Sequence, residues 1–172
     1  MTLKELFADK DHKPKEKTER ISCWLEDKAI SIHELIEFAI TSKEPVKATC
    51  IEAIEFATNK NPQLATEECF HFVIASLSDK APRIKWESAR VIGNIAALYQ
   101  DDFDAAIDGL LKNTSHPGTV VRWSAAYALG VILKLKTKYN IDLLPAIESI
   151  ILTEEKNSIK KIYLEAVKKI NK

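Results

Sequence analysis

Two tryptophans offer this chain its most specific chemistry. Trp86 and Trp123 each follow a cation, Lys85 and Arg122, and each precedes a second polar or aromatic residue by one helical turn, Arg90 and Tyr127. Residues four apart lie on one face of a helix. If these faces meet solvent, the six residues form a patch of two indoles, a phenol and three cations. That composition marks binding hot spots, where a partner stacks on aromatic surface and cations orient it. A second reading also fits the residue types, with the indoles filling the gap between neighbouring helices. The candidate site is therefore Lys85, Trp86, Arg90, Arg122, Trp123 and Tyr127, and its chemistry is partner binding.

Catalytic and metal chemistry find fewer supports. Asp101, Asp102, Asp104 and Asp108 cluster where a helix begins, and helix capping with dipole compensation accounts for them. The histidines, His12, His33, His71 and His116, are scattered. Cys69 and His71 cannot hold a metal alone, and no second ligand pair is spaced to join them. The three cysteines, Cys23, Cys50 and Cys69, are odd in number without a CxxC pair, and Cys50 reads as a small buried thiol. No glycine-rich phosphate loop or nucleophile elbow occurs. The expectation is a protein without catalytic residues, cofactor or metal.

Charge narrows the partner. The 172 residues carry 25 basic and 25 acidic side chains, a formal net charge of zero. General binders of nucleic acid or membrane surfaces show a basic excess. A protein or peptide partner is expected, with nucleic acid the alternative if a local basic groove forms. The charged N-terminus lacks a signal-like apolar core, and no stretch nears the roughly 20 apolar residues of a membrane span, so a cytoplasmic location is expected.

The elements that must position the patch follow from repetition. The run from Val46, "VKATCIEAIEFA", returns from Ile84 as "IKWESARVIGNIA", from Val121 as "VRWSAAYALGVIL", and faintly from Ile159 as "IKKIYLEAVKKI". The cations after each aliphatic residue, Lys47, Lys85, Arg122 and Lys160, are spaced by 38, 37 and 38 residues. A period of that length with helical patterning signals stacked helix pairs. Ser31 with Glu34 makes a capping box for a helix over 31–41, and Pro45 opens the next, to about 58. Thr66 caps a helix to about 77, and another runs from Pro82 to Tyr99. Asp101 and Asp102 open the third pair, broken internally at "TSHPGT". Asp142 caps the fourth, with Pro145 in its first turn. Within each second helix, Val46, Cys50, Ala53, Ile54 and Ala57 align with Ile84, Ser88, Val91, Ile92 and Ile95, and with Val121, Ala125, Ala128, Leu129 and Ile132.

The start differs. Thr2 and Glu5 predict a short helix to about Asp9, "KDHKPKEK" reads as a solvated connector, and Ile21, Trp24, Leu25 and Ala29 share one face of a helix over 18–29. Residues 1–30 are thus expected to be an end cap, followed by repeats over about 31–62, 63–100, 101–139 and 140–172.

The pattern of Asp79, Ile84-Lys85, Ala89, Ile92 and Gly93, repeated as Val121-Arg122, Ala126, Leu129 and Gly130, resembles the second helix of HEAT repeats. The similarity covers about residues 31–172. It implies an all-α, right-handed α-α superhelix of about four helix pairs plus the cap, with second helices lining a concave side. It also implies that Lys47, Lys85, Arg122 and Lys160 belong to a structural ladder between repeats. Only Asp79 stands at the usual acidic position; Thr41, His116 and Glu154 hold the equivalent places. HEAT-like arrays include alkylpurine DNA glycosylases, which resemblance associates with a Trp-x-x-x-Asp spacing. Arg90 and Tyr127 stand where that acid is needed, so the resemblance implies a scaffold or binding module over a glycosylase.

Overall fold

The structure, a computed structural model, describes residues 1–172. It contains ten α-helices, two short 3-10 turns and no strand. The helices are α1 (Leu3–Ala8), α2 (Pro14–Glu26), α3 (Ile32–Ile40), α4 (Glu44–Lys60), α5 (Glu67–Ser76), α6 (Pro82–Ile95), α7 (Asp104–Asn113), α8 (Thr119–Lys134), α9 (Asn140–Thr153) and α10 (Asn157–Ile170). The 3-10 turns, Pro62–Leu64 and Ala96–Leu98, follow α4 and α6.

The even-numbered helices form one continuous row, α2 on α4, α4 on α6, α6 on α8 and α8 on α10. The odd-numbered helices each cover their own partner but meet one another only sparsely. A row packed this closely on one side and loosely on the other must curve, so the even-numbered helices line the inner face. The aligned aliphatic positions explain the row. Ile84, Ser88, Val91, Ile92 and Ile95 are buried, as are Val121, Ala125, Ala128, Leu129 and Ile132 and four of the five matching residues on α4. Val46, at the helix start, is only partly covered. Glycine permits the closest approach: a Cβ added at Gly93 would lie 2.3 Å from Cε1 of Tyr127 on the next helix. One buried apolar cluster runs from Leu6 to Ala166, so the array is a single cooperative core.

Local signals behave as their chemistry requires, with four corrections. Thr2 and Ser31 each cap a helix, their hydroxyls accepting from the Glu5 and Glu34 backbone N–H while their own backbone N–H groups donate to the Glu5 and Glu34 carboxylates. Thr66 accepts the Cys69 N–H at the start of α5. The expected connector after α1 is shorter, because α2 starts at Pro14, where the missing proline N–H is harmless. Lys17 is part of that helix, and its Nζ donates to the carbonyls of Phe7 and Asp9, tying α1 down. Ala29 lies beyond α2 and is exposed, because Lys28 turns the chain at φ 59°. Trp24, by contrast, packs against the core. At α7 and α9 the cap positions are Phe103 and Tyr139, not aspartates. Tyr139 instead donates its hydroxyl to Asp104 and to the Asp101 carbonyl. Since α9 begins at Asn140, Pro145 falls inside the helix, past the turn whose N–H groups are free.

Candidate functional site

Three of the four expected ladder cations, Lys47, Lys85 and Arg122, bond between repeats, whereas the Lys160 side chain has no hydrogen bond or ion pair, because no acceptor stands within its reach. Lys47 Nζ reaches Asp79 Oδ2 at 3.0 Å. Arg122 donates to Glu154 through Nε at 3.1 Å and Nη2 at 3.4 Å, and to the carbonyls of His116 and Pro117. Both rungs span 32 residues, which is the register between a second helix and the end of the next first helix. For Lys85 that register arrives at Pro117, beside His116, where no carboxylate exists. Its Nζ donates instead to the Leu77 carbonyl at 3.1 Å and Asn113 Oδ1 at 3.4 Å. Burial works against the charged forms of Asp79 and Glu154. Backbone N–H groups and the paired cation outweigh it and hold both carboxyls below their usual range. Lys85 and Arg122 are thus engaged inside the protein, and the structure does not bring them together with the aromatic residues.

The aromatic residues lie on the inner row and outside the apolar cluster. Trp123 is 39% exposed. Its ring stacks on Tyr127 with centroids 6.0 Å apart and planes 13° from parallel, so the i,i+4 pair on α8 forms one aromatic surface. Tyr127 is locked across the helix boundary. Its ring rests on Gly93, and its hydroxyl donates to Asn94 Oδ1 at 2.8 Å. Asn94 in turn donates to the Glu55 carbonyl and Thr58 Oγ1 on α4. Three adjacent helices therefore fix the orientation of one exposed stack.

Trp86 and Arg90 diverge from this plan. Trp86 does not stack on Arg90; its indole N–H donates to Glu87 Oε1 at 2.9 Å. Arg90 turns to α4 and meets Glu55 Oε1 at 3.4 Å. The repeat register explains the difference. Arg90 and Tyr127 are equivalent positions, and each contacts the preceding helix three positions further along, where α4 carries Glu55 and α6 carries Gly93.

The residues missed by sequence reasoning are acids. Glu55 and Glu87 are each only 3% exposed, and Glu52 stands one turn from Glu55. Glu52 Oε2 accepts from Arg83 Nη2 at 2.7 Å and from Thr18 Oγ1 at 2.8 Å, linking α2, α4 and α6. Burial raises the Glu55 pKa, opposed by Arg90 and by a hydrogen bond from Asn94. Burial pushes Glu87 up to about 7, and the Trp86 hydrogen bond only partly offsets it. Glu87 Oε2 is enclosed and has no hydrogen-bond partner. The signal was in the alignment of repeats: Glu87 replaces the small Thr49 and Ser124, and Glu55 replaces Gly93 and Gly130.

Elsewhere, the ligand atoms of His33, Glu37 and Glu68 lie within 4.8 Å of one another on the outer face, but all three residues are exposed and His33 already bonds Glu68. Burial pushes the Cys50 and Cys69 thiols up to about 12, which makes them inert, while Cys23 is exposed. No helix is long and apolar enough to cross a membrane.

No protein-family model and no curated protein sequence matches the chain. Among solved structures it is similar to a designed armadillo repeat protein, YIII(Dq.V1)4CPAF, in complex with peptide (KR)4. The TM-score is 0.71 at 19% identity, covering 97% of this chain and 80% of that one. A second designed armadillo repeat protein, YIII(Dq)4CqI, matches with TM-score 0.73 at 18% identity over 91% of this chain and 75% of the other. A third similar structure belongs to computationally designed armadillo repeat proteins for modular peptide recognition, with TM-score 0.72 at 19% identity over 90% and 74% of the two chains. The class is therefore an all-helical, armadillo-like repeat solenoid.

Proposed function

We propose that the protein is a non-catalytic binding module that receives an extended segment of a protein partner along the inner face of its solenoid. The observation that carries this reading is the Trp123–Tyr127 stack, exposed on the inner row and held by Gly93, Asn94 and Thr58 rather than packed in the core. A rigid aromatic surface gives up little conformational entropy when a partner covers it. Similar designed solenoids bind peptides, one of them (KR)4, which supports the same use here. The charge arrangement supports peptide over nucleic acid. Lys47, Arg83, Lys85, Arg90 and Arg122 each already have an acceptor in the protein, so they leave no continuous basic strip for a polyanion.

The test is selection from a displayed library of extended peptides, followed by titration of the selected peptides against W86A/W123A. Hot-spot indoles contribute about 2 kcal/mol or more each, so affinity should fall at least about 100-fold. The protein should stay folded, with stability falling by no more than the lost Trp86–Glu87 hydrogen bond, about 1–3 kcal/mol, because neither indole belongs to the apolar cluster. Unfolding of the double variant, or selected peptides that bind it as tightly as wild type, would overturn the proposal.

A further inference from the structure

The inner face carries an unbalanced charge. Between α4 and α6 stand three carboxylates, Glu52, Glu55 and Glu87, against two guanidinium groups, Arg83 and Arg90. Arg83 is committed to Glu52 and Arg90 to Glu55. Glu87 has no cation of its own, and its Oε2 is buried without a partner. The only hydrogen bond its carboxyl receives comes from the Trp86 indole, on a residue that is half-buried, lies on the inner face and is not packed against the core. A buried carboxyl with one oxygen unsatisfied weakens the fold, because neither water nor a donor compensates it. The donor that Oε2 lacks would be met best by a positive charge, and the indole bonded to the other oxygen offers such a charge a π face.

Resting on the peptide-groove reading, we infer that Glu87 and Trp86 form a cation subsite of the inner groove that takes a lysine or arginine side chain of the bound segment. The entering cation supplies the missing donor to Oε2, and its alkyl or guanidinium portion stacks on the indole. Entry needs Trp86 to swing aside, which breaks one hydrogen bond and disturbs no core contact. Because the subsite binds its cation as the carboxylate, a Glu87 that is protonated must release that proton on binding. The charged groups that act on Glu87 are Glu52 and Glu55 from α4 and Arg90 from its own helix, while α8 faces the region with Tyr127, a phenol neutral near pH 7.

Fluorescence anisotropy with a labelled (Lys-Arg)4 octapeptide tests this, on wild type, E87Q, and E19Q as a control that removes an exposed charge elsewhere. E87Q should bind at least about tenfold more weakly, with E19Q unchanged within about twofold. Wild-type affinity should rise about tenfold between pH 6 and pH 8 as Glu87 ionises from a pKa of about 7, and E87Q should lose that rise. Equal weakening by E87Q and E19Q, or equal binding by wild type and E87Q, overturns the subsite. The peptides selected under the groove test separate the two ideas. Tryptophan-dependent peptides that lack basic residues and ignore E87Q leave the groove standing and remove the cation subsite; absence of any tryptophan-dependent peptide removes both.

Discussion

The buried Glu87 carboxyl should leave a signature in stability as well as in binding, and E87Q isolates it. Glutamine keeps the shape and the acceptor for the Trp86 N–H, but it cannot ionise. In the unfolded chain Glu87 titrates near its ordinary 4.5, whereas in the fold burial moves it to about 7. Between these values the native state holds a proton that the unfolded state has lost. Stability of wild type therefore falls as pH rises through this window, and above about pH 7 the full penalty applies. Each pKa unit is worth about 1.4 kcal/mol, so the whole window amounts to roughly 3 kcal/mol, most of which develops between pH 5 and pH 8.

The absolute stability of E87Q is less informative than this slope. Its amide nitrogen takes the place of the unpartnered Oε2 and finds no acceptor, a cost of about 1–3 kcal/mol that is the same at every pH. The assay is urea denaturation of both proteins at half-unit steps from pH 5 to pH 8. E87Q should gain on wild type by roughly 2–3 kcal/mol across that range, with unchanged m-values. Glu55, also raised by burial, titrates in both proteins and largely cancels in the comparison. A difference between the two proteins that is flat with pH would refute the argument, since it would mean that Glu87 is solvated or paired.

Two further changes probe the frame around the site. In G93A the new methyl would meet the Tyr127 ring at 2.3 Å, so stability should fall by about 1–3 kcal/mol, and a double-mutant cycle with Y127A should recover most of that loss. R122A should cost about 3 kcal/mol by thermal denaturation, because it leaves Glu154 buried without its cation, whereas K112A, at an exposed pair, should cost less than about 0.5 kcal/mol. The R122A loss should shrink at low pH, since the depressed Glu154 pKa contributes stability only above the ordinary carboxylate range and that contribution disappears as the group protonates.

The solenoid was legible in the sequence because packing imposes the same demand in each repeat. Every second helix must bury the same stripe against its two neighbours, so Ile84, Ile92 and Ile95 recur as Val121, Leu129 and Ile132 at a fixed spacing. Capping boxes were legible for a similar reason, since Thr2 and Ser31 act on amides only three residues away. The aspartates before α7 and near the start of α9 were not, because tertiary contacts there outcompeted local capping. Phe103 is fully buried, and Tyr139 packs against it while bonding to Asp101 and Asp104.

The site was half legible. Trp86, Trp123 and Tyr127 stand at repeat-equivalent or turn-spaced positions, and such regularity is visible in one dimension. The acids are not regular, because Glu87 stands where the adjacent repeats carry Thr49 and Ser124, and Glu55 where the next two carry Gly93 and Gly130. Their meaning arises only when the register places Glu55 against Arg90 and leaves Glu87 over. A search along one helix for a carboxylate four residues after each tryptophan therefore looked in the wrong direction. One carboxylate comes from the next residue on the same helix, Glu87, and another from the preceding repeat, Glu55, which meets Arg90 from α4. In a solenoid the packed frame reads along the helices, whereas the groove reads across them. A charge imbalance of one carboxylate between adjacent helices is a property of the assembled row, and E87Q is the single substitution that removes it without disturbing the repeat that built it.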